Sequence, residues 1–263
     1  MSLTTGIGPL ARPTQGRLNG DIWSVLPAHA LYAHPEPRRI RGSLKETTVL
    51  DTDHAIMLHE TGLLPVWYVP ADDFAIGVLE RTETQTHCPF KGDASYYDLR
   101  VGGTLVHDAV WFYAAPLPGA AAIAGMCSVR MDALDQWFEE DQQVYGHPTD
   151  PFHRVDVRAS SRHVVVTAGD TVLADSHTPL ALFETGLPTR YYLAESDIDT
   201  KLLSTSETTS VCPYKGTARY WSSPEQDDIC WSYPEPNDEV RAAAGLRCFL
   251  GEGITTTVDG VPV

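Results

Sequence analysis

Basic residues are scarce in this chain: 19 Lys and Arg stand against 35 Asp and Glu over 263 residues, a net charge of −16. Binding a nucleic-acid backbone needs clustered cations that neutralise phosphates, so no nucleic-acid partner is expected. Docking on anionic lipid is disfavoured for the same reason, and solubility is the plain consequence of the acidic balance. Cysteine is sparse as well. The five are Cys88, Cys127, Cys212, Cys230 and Cys248, an odd number with no C-x-x-C pair. That argues against a structural zinc site of the usual kind and for reduced thiols. No apolar run approaches the roughly 20 residues that span a bilayer. The opening Met1-Ser2-Leu3-Thr4-Thr5-Gly6 has neither a basic region nor an apolar core, so no export signal and a cytoplasmic location are expected. Also missing are G-x-x-x-x-G-K-[ST], G-x-G-x-x-G after a strand, and G-x-S-x-G, the usual phosphate cradles and nucleophile elbow. No cofactor is expected.

What the chain has is a copy of itself. Glu60-Thr61-Gly62-Leu63 recurs as Glu184-Thr185-Gly186-Leu187, and Cys88-Pro89-Phe90-Lys91-Gly92 recurs as Cys212-Pro213-Tyr214-Lys215-Gly216, both at an offset of 124 positions. From Glu60 to Tyr97, 15 of 38 positions are identical to their partners. A period that long marks a duplicated domain, because solenoid repeats run to about 20–50 residues. The division expected is an N-terminal extension over 1–25, a first β repeat over 26–145 and a second over 146–263.

The local pattern is mainly β. Arg162 to Val166 and Thr171 to Ala174 flank Ala168-Gly169-Asp170 as a hairpin, and the first half has a poorer copy with Lys45-Glu46 in the turn. Val66–Val69, Tyr191–Leu193, Thr82–Thr86, Ser204–Ser210, Val110–Tyr113 and Ile229–Tyr233 are rich in β-branched and aromatic residues. One helix is expected near 132–143, closing the first domain. Met131, Leu134, Trp137 and Phe138 fall at helical spacing behind Asp132. Short helical turns are expected at Ala120–Ala124 and Asp238–Ala244. In each half a His-Pro pair, His34-Pro35 or His147-Pro148, lies a few residues upstream of a basic-apolar stretch, Arg38-Arg39-Ile40-Arg41 or Arg154-Val155-Asp156-Val157-Arg158.

The duplicated residues are the candidates for chemistry. A carboxylate such as Glu60 or Glu184 is costly to bury in an aromatic-rich β domain unless it is paired, and it could instead serve as ligand acceptor or general base. The Cys-Pro-aromatic-Lys-Gly motif describes a rigid turn that aims a thiol and an ammonium. Cys88 and Cys212 could be nucleophiles whose pKa the lysine lowers, or inert small core residues. Lys91 and Lys215 could hold an anion, or form a salt bridge with Glu60 or Glu184 of the same half. Tyr68 with Tyr192, Tyr96 with Tyr220, and Trp111 with Trp231 would give apolar walls beside them. His59, His87 and Cys88 could converge on a metal, but their partners are Phe183, Val211 and Cys212, so no metal site is expected.

At these motifs the chain resembles domain-of-unknown-function family 427, in tandem. The match runs through His59-Glu60-Thr61-Gly62-Leu63, Cys88 to Gly92, Phe183 to Tyr192, Cys212 to Gly216 and Trp231-Ser232-Tyr233-Pro234. It covers about residues 26 to 263. The resemblance implies a compact domain similar to the β-tent, or Mss4-like, architecture, whose wider group often holds zinc through C-x-x-C pairs absent here. The family is also catalogued as nucleotidyltransferase-like, although no Gly-rich phosphate cradle accompanies the motifs.

Three readings follow. In the first, each repeat binds a small anionic or amide-bearing molecule through lysine, glutamate and aromatic walls. In the second, the chain is a thiol-dependent or nucleotidyltransferase-like enzyme. In the third, the glutamate–lysine pairs are buried salt bridges of a structural or interaction module.

Overall fold

A computed structural model describes residues 29–263, and the expected extension over 1–25 lies outside them. The chain divides into two compact units after Asp150. The first holds a seven-stranded antiparallel sheet in the order Leu31–Pro35, Ile56–Glu60, Val66–Pro70, Met126–Val129, Thr104–Tyr113, Gly92–Val101, Leu79–Cys88. A four-stranded sheet, Gln142–Val144, Gln136–Glu139, Ile40–Leu44, Thr47–Thr52, lies in the same unit.

The second unit repeats the plan with its large sheet in two parts. Val155–Ala159, Leu180–Glu184 and Arg190–Tyr192 form one part; Ser204–Cys212, Gly216–Ser222, Cys230–Ser232 and Arg247–Phe249 form the other. A single bridge, Leu193 to Arg247, joins them. Its small sheet is Thr171–Ser176, Val164–Ala168, Ile254–Val258, Val261–Pro262.

Alternation along the strands loads both faces of each large sheet. Trp67 and Val69 enter a cluster with Ile40, Leu50 and Trp137, whereas Tyr68 between them joins Leu58, Tyr113 and Ile123. The second unit matches this with Val164, Ile229 and Phe249 in one cluster, and Leu182, Tyr192, Tyr233 and Val240 in another. The expected helical turns are short 3-10 segments, Pro118–Ile123 and Asp238–Ala243, each contributing apolar residues to the Tyr68 or Tyr192 cluster.

The helix expected near 132–143 is absent. Met131–Ala133 is one 3-10 turn, and Gln136–Glu139 and Gln142–Val144 form a hairpin paired to Ile40–Leu44. The physical reason is a period of two hidden inside a helical-looking spacing. Trp137 and Glu139 are buried on one face, while Phe138 turns to the other, beneath the Arg41 guanidinium at 5.2 Å. Asp132 pairs with Arg130 and caps nothing. Glu140, at φ 52°, makes the two-residue turn. Glu139 is buried against Arg38 and Thr149.

Candidate functional site

Glu60 ends the strand Ile56–Glu60 and pairs with Leu31 across the ladder; Glu184 ends Leu180–Glu184 and pairs with Val155. The residue two before each partner is a histidine, His29 or His153. The Thr-Gly that follows each glutamate holds this end in register. The Ala30 N–H donates to Thr61 Oγ1 at 2.9 Å and the Thr61 N–H returns to the Ala30 carbonyl at 3.1 Å. The Arg154 N–H and Thr185 Oγ1 repeat the bond at 2.9 Å. Gly62 and Gly186 then turn the chain at φ 78° and 81°, a conformation costly for any residue with a Cβ.

The lysine arrives from the opposite side of the sheet order, on the turn that joins Leu79–Cys88 to Gly92–Val101, or Ser204–Cys212 to Gly216–Ser222. The pairs Cys88–Gly92 and Cys212–Gly216 close these loops, with the glycines at φ 103° and 97°. Backbone bonds pin them further: the Leu117 N–H donates to the Lys91 carbonyl, the Asn237 N–H to the Lys215 carbonyl, and Asn237 Nδ2 to the Pro213 carbonyl.

In both units the three side chains meet on one carboxylate. Lys91 Nζ donates to Glu60 Oε2, and His29 Nε2 lies 3.0 Å from Glu60 Oε1. Lys215 Nζ donates to Glu184 Oε2 at 2.5 Å, and His153 Nε2 lies 3.1 Å from Glu184 Oε1. The motif's aromatic residue lies against the imidazole: Phe90 on His29 with centroids 3.5 Å apart, Tyr214 on His153 at 4.3 Å. Glutamate and lysine side chains retain 7–11% of their exposure, and the histidines 18% and 12%. The cluster is thus recessed yet reachable through its histidine.

Burial on its own would raise the Glu184 pKa, but the hydrogen bonds from His153 and Lys215, with their charge, outweigh it and hold the carboxyl below its ordinary range. An ionised carboxylate only accepts, so Nε2 of each histidine carries the proton. In a neutral imidazole this leaves Nδ1 as the acceptor, and neither Nδ1 has a hydrogen-bond partner among the described residues.

The sequence-selected aromatics stand behind the cluster. Trp111 Nε1 donates to the Tyr68 hydroxyl at 3.1 Å and Trp231 Nε1 to the Tyr192 hydroxyl at 3.2 Å, each pair edge to face. Tyr68 and Tyr192 are interior, and burial pushes both phenols far above their ordinary pKa. Tyr96 and Tyr220 bond through their hydroxyls to Thr86 and Ser210 at the surface, at 2.8 and 2.7 Å. Cys88 and Cys212 are half-buried and pack on the same apolar clusters. The other thiols are interior, and burial raises Cys127 to about 11 and Cys230 and Cys248 to about 12.

His59 and His87 do not converge on a metal. His59 is buried beside His34, Nε2 to Nε2 at 3.1 Å, whereas His87 is exposed and pairs with Asp93 at 2.6 Å. The His-Pro pairs are not counterparts either: His34 lies inside the strand Leu31–Pro35, and His147 lies between strands. The true counterparts are His29 and His153, which the sequence reading missed although they obey the 124-position offset.

A family model described as a domain of unknown function, DUF427, matches residues 32–140 and again 156–260. The chain belongs to the DUF427 family. It carries two copies of the domain, and no curated protein matches it. The glutamate and lysine of both clusters fall within the two DUF427 matches, while His29 and His153 stand three residues before each begins.

Proposed function

We propose that each DUF427 repeat binds a small polar molecule, anionic or amide-bearing, at its His–Glu–Lys cluster. The observation that carries this reading is the duplicated third member. A structural ion pair needs only glutamate and lysine, yet both units add a histidine held by the same carboxylate, stacked on an aromatic ring, and presenting Nδ1. A carboxylate that accepts from one imidazole nitrogen fixes the tautomer and aims the other nitrogen, as in metal and acid–base sites. A ligand O–H or N–H would donate to Nδ1. When the imidazole is protonated, the cluster carries one net positive charge and would favour an anion.

The cysteine motif supports positioning rather than attack, since Cys88 and Cys212 sit in apolar packing and the turn delivers the lysine. The test is a thermal-shift screen of the full chain against metabolites, sugar phosphates, nucleotides and carboxylates. A ligand at 100 times its Kd should stabilise by about 2.7 kcal/mol. The shift should fall in His29→Ala or His153→Ala and vanish in the double variant; a shift that survives the double variant rejects the site.

A further inference from the structure

The two units diverge at one place on the same hairpin. In the first unit Arg39 grips Asp51 through two nitrogens, Nε at 2.7 Å and Nη2 at 2.5 Å, with Asp53 two residues on. The positions 124 residues later are His163, Asp175 and His177. The ladder fixes what these residues can do. Val164 pairs with Ser176 and Val165 with Asp175, so His163 and His177 face one another just beyond the last pair. Asp175 lies on the same face as His177.

The side chains gather accordingly. His163 Nε2 is 2.7 Å from Asp175 Oδ1, the imidazoles of His163 and His177 stack at 4.1 Å and 10°, and one ligand atom from each of the three residues lies within 4.8 Å of the others. The permanent charge that Arg39 supplies to Asp51 has no equivalent here, because the neighbouring Arg162 is turned to Asp259 at 3.5 Å.

We propose that the second unit binds a divalent transition-metal ion through His163, Asp175 and His177. Imidazole suits zinc, copper and nickel, and two imidazoles with one carboxylate form a three-ligand set that leaves a coordination position open. Ligand bonds of about 2.0–2.2 Å to one ion would hold the three ligand atoms closer together than the 4.8 Å within which they lie here. The metal would take the place of the Arg39 charge. The site is separate from the His–Glu–Lys clusters and does not depend on their reading.

The test is calorimetric titration of the full chain with Zn²⁺ alone. The expected result is saturable one-to-one binding. Loss of an outer-shell partner already costs about 10–100-fold in affinity, so His177→Ala should weaken binding by more than about tenfold. His163→Arg, which restores the residue of the first unit and its pairing with aspartate, should keep the fold and abolish binding. No saturable binding, or binding unchanged in both variants, as thiol ligation would give, overturns the proposal.

Discussion

Glu60 is held by one ammonium, Lys91, and one imidazole, His29, in an interior that would otherwise tolerate no carboxylate, and this sets what single substitutions should do. Glu60→Gln leaves Lys91 enclosed without a counter-charge, which typically costs about 3–5 kcal/mol. Pairing it with Lys91→Met should recover much of that loss in urea unfolding; an additive double variant would mean the two residues do not interact. His59 is governed by burial. Its desolvation lowers the pKa from the ordinary 6.5, with Asp150 opposing and His34 reinforcing the shift. Its stabilising contribution is present above 6.5 and is lost as pH falls from there toward the lowered value, because the unfolded chain takes up a proton the folded one refuses. His59→Phe, which installs the Phe183 of the second unit, should flatten the fall in Tm between about pH 7 and pH 5.5. At this scale the Glu–Lys pairing was legible, because buried opposite charges kept in both copies have few other uses. The histidine was not, since it sits 31 positions before each glutamate, outside the stretch where the copies visibly agree.

The hairpin over Gln136–Val144 shows how an element was misread. Met131, Leu134 and Trp137 have helical spacing, but Met131 is half-buried on a 3-10 turn, Leu134 is buried just after that turn, and Trp137 is buried in a strand. The duplicate held the correction. Its equivalent hairpin turns at Asp259-Gly260, a strong two-residue turn signal, and Asp259 has φ 51° against 52° at Glu140. The lysine turn invites a test at the same scale. Gly216 adopts φ 97°, and a Cβ there would stand 3.1 Å from the Glu235 carbonyl oxygen. Gly216→Ala should cost roughly 1–3 kcal/mol in backbone strain and displace Lys215 from Glu184. Wild-type stability in that variant would mean the turn does not hold its conformation.

Across the whole molecule, duplication was the most legible property, and the family match confirms it in two segments. Comparing the halves directs attention to what they share, so it found Glu60, Lys91 and their partners and passed over His163 and His177, whose interest lies in differing from Arg39 and Asp53. Both units lay the same apolar clusters on the two faces of the large sheet and arrive at the same three-residue cluster. That recurrence is the basis for proposing that the cluster has a task beyond stability. The most direct test is long-range ¹H–¹⁵N NMR of the histidine rings of the full chain, assigned with His29→Ala and His153→Ala. The expected result, for the neutral form of both imidazoles, is a proton on Nε2 and a bare Nδ1. Protonation at Nδ1 in both rings would contradict the account, because the carboxylates would then not be holding the histidines and no acceptor would be presented to a ligand.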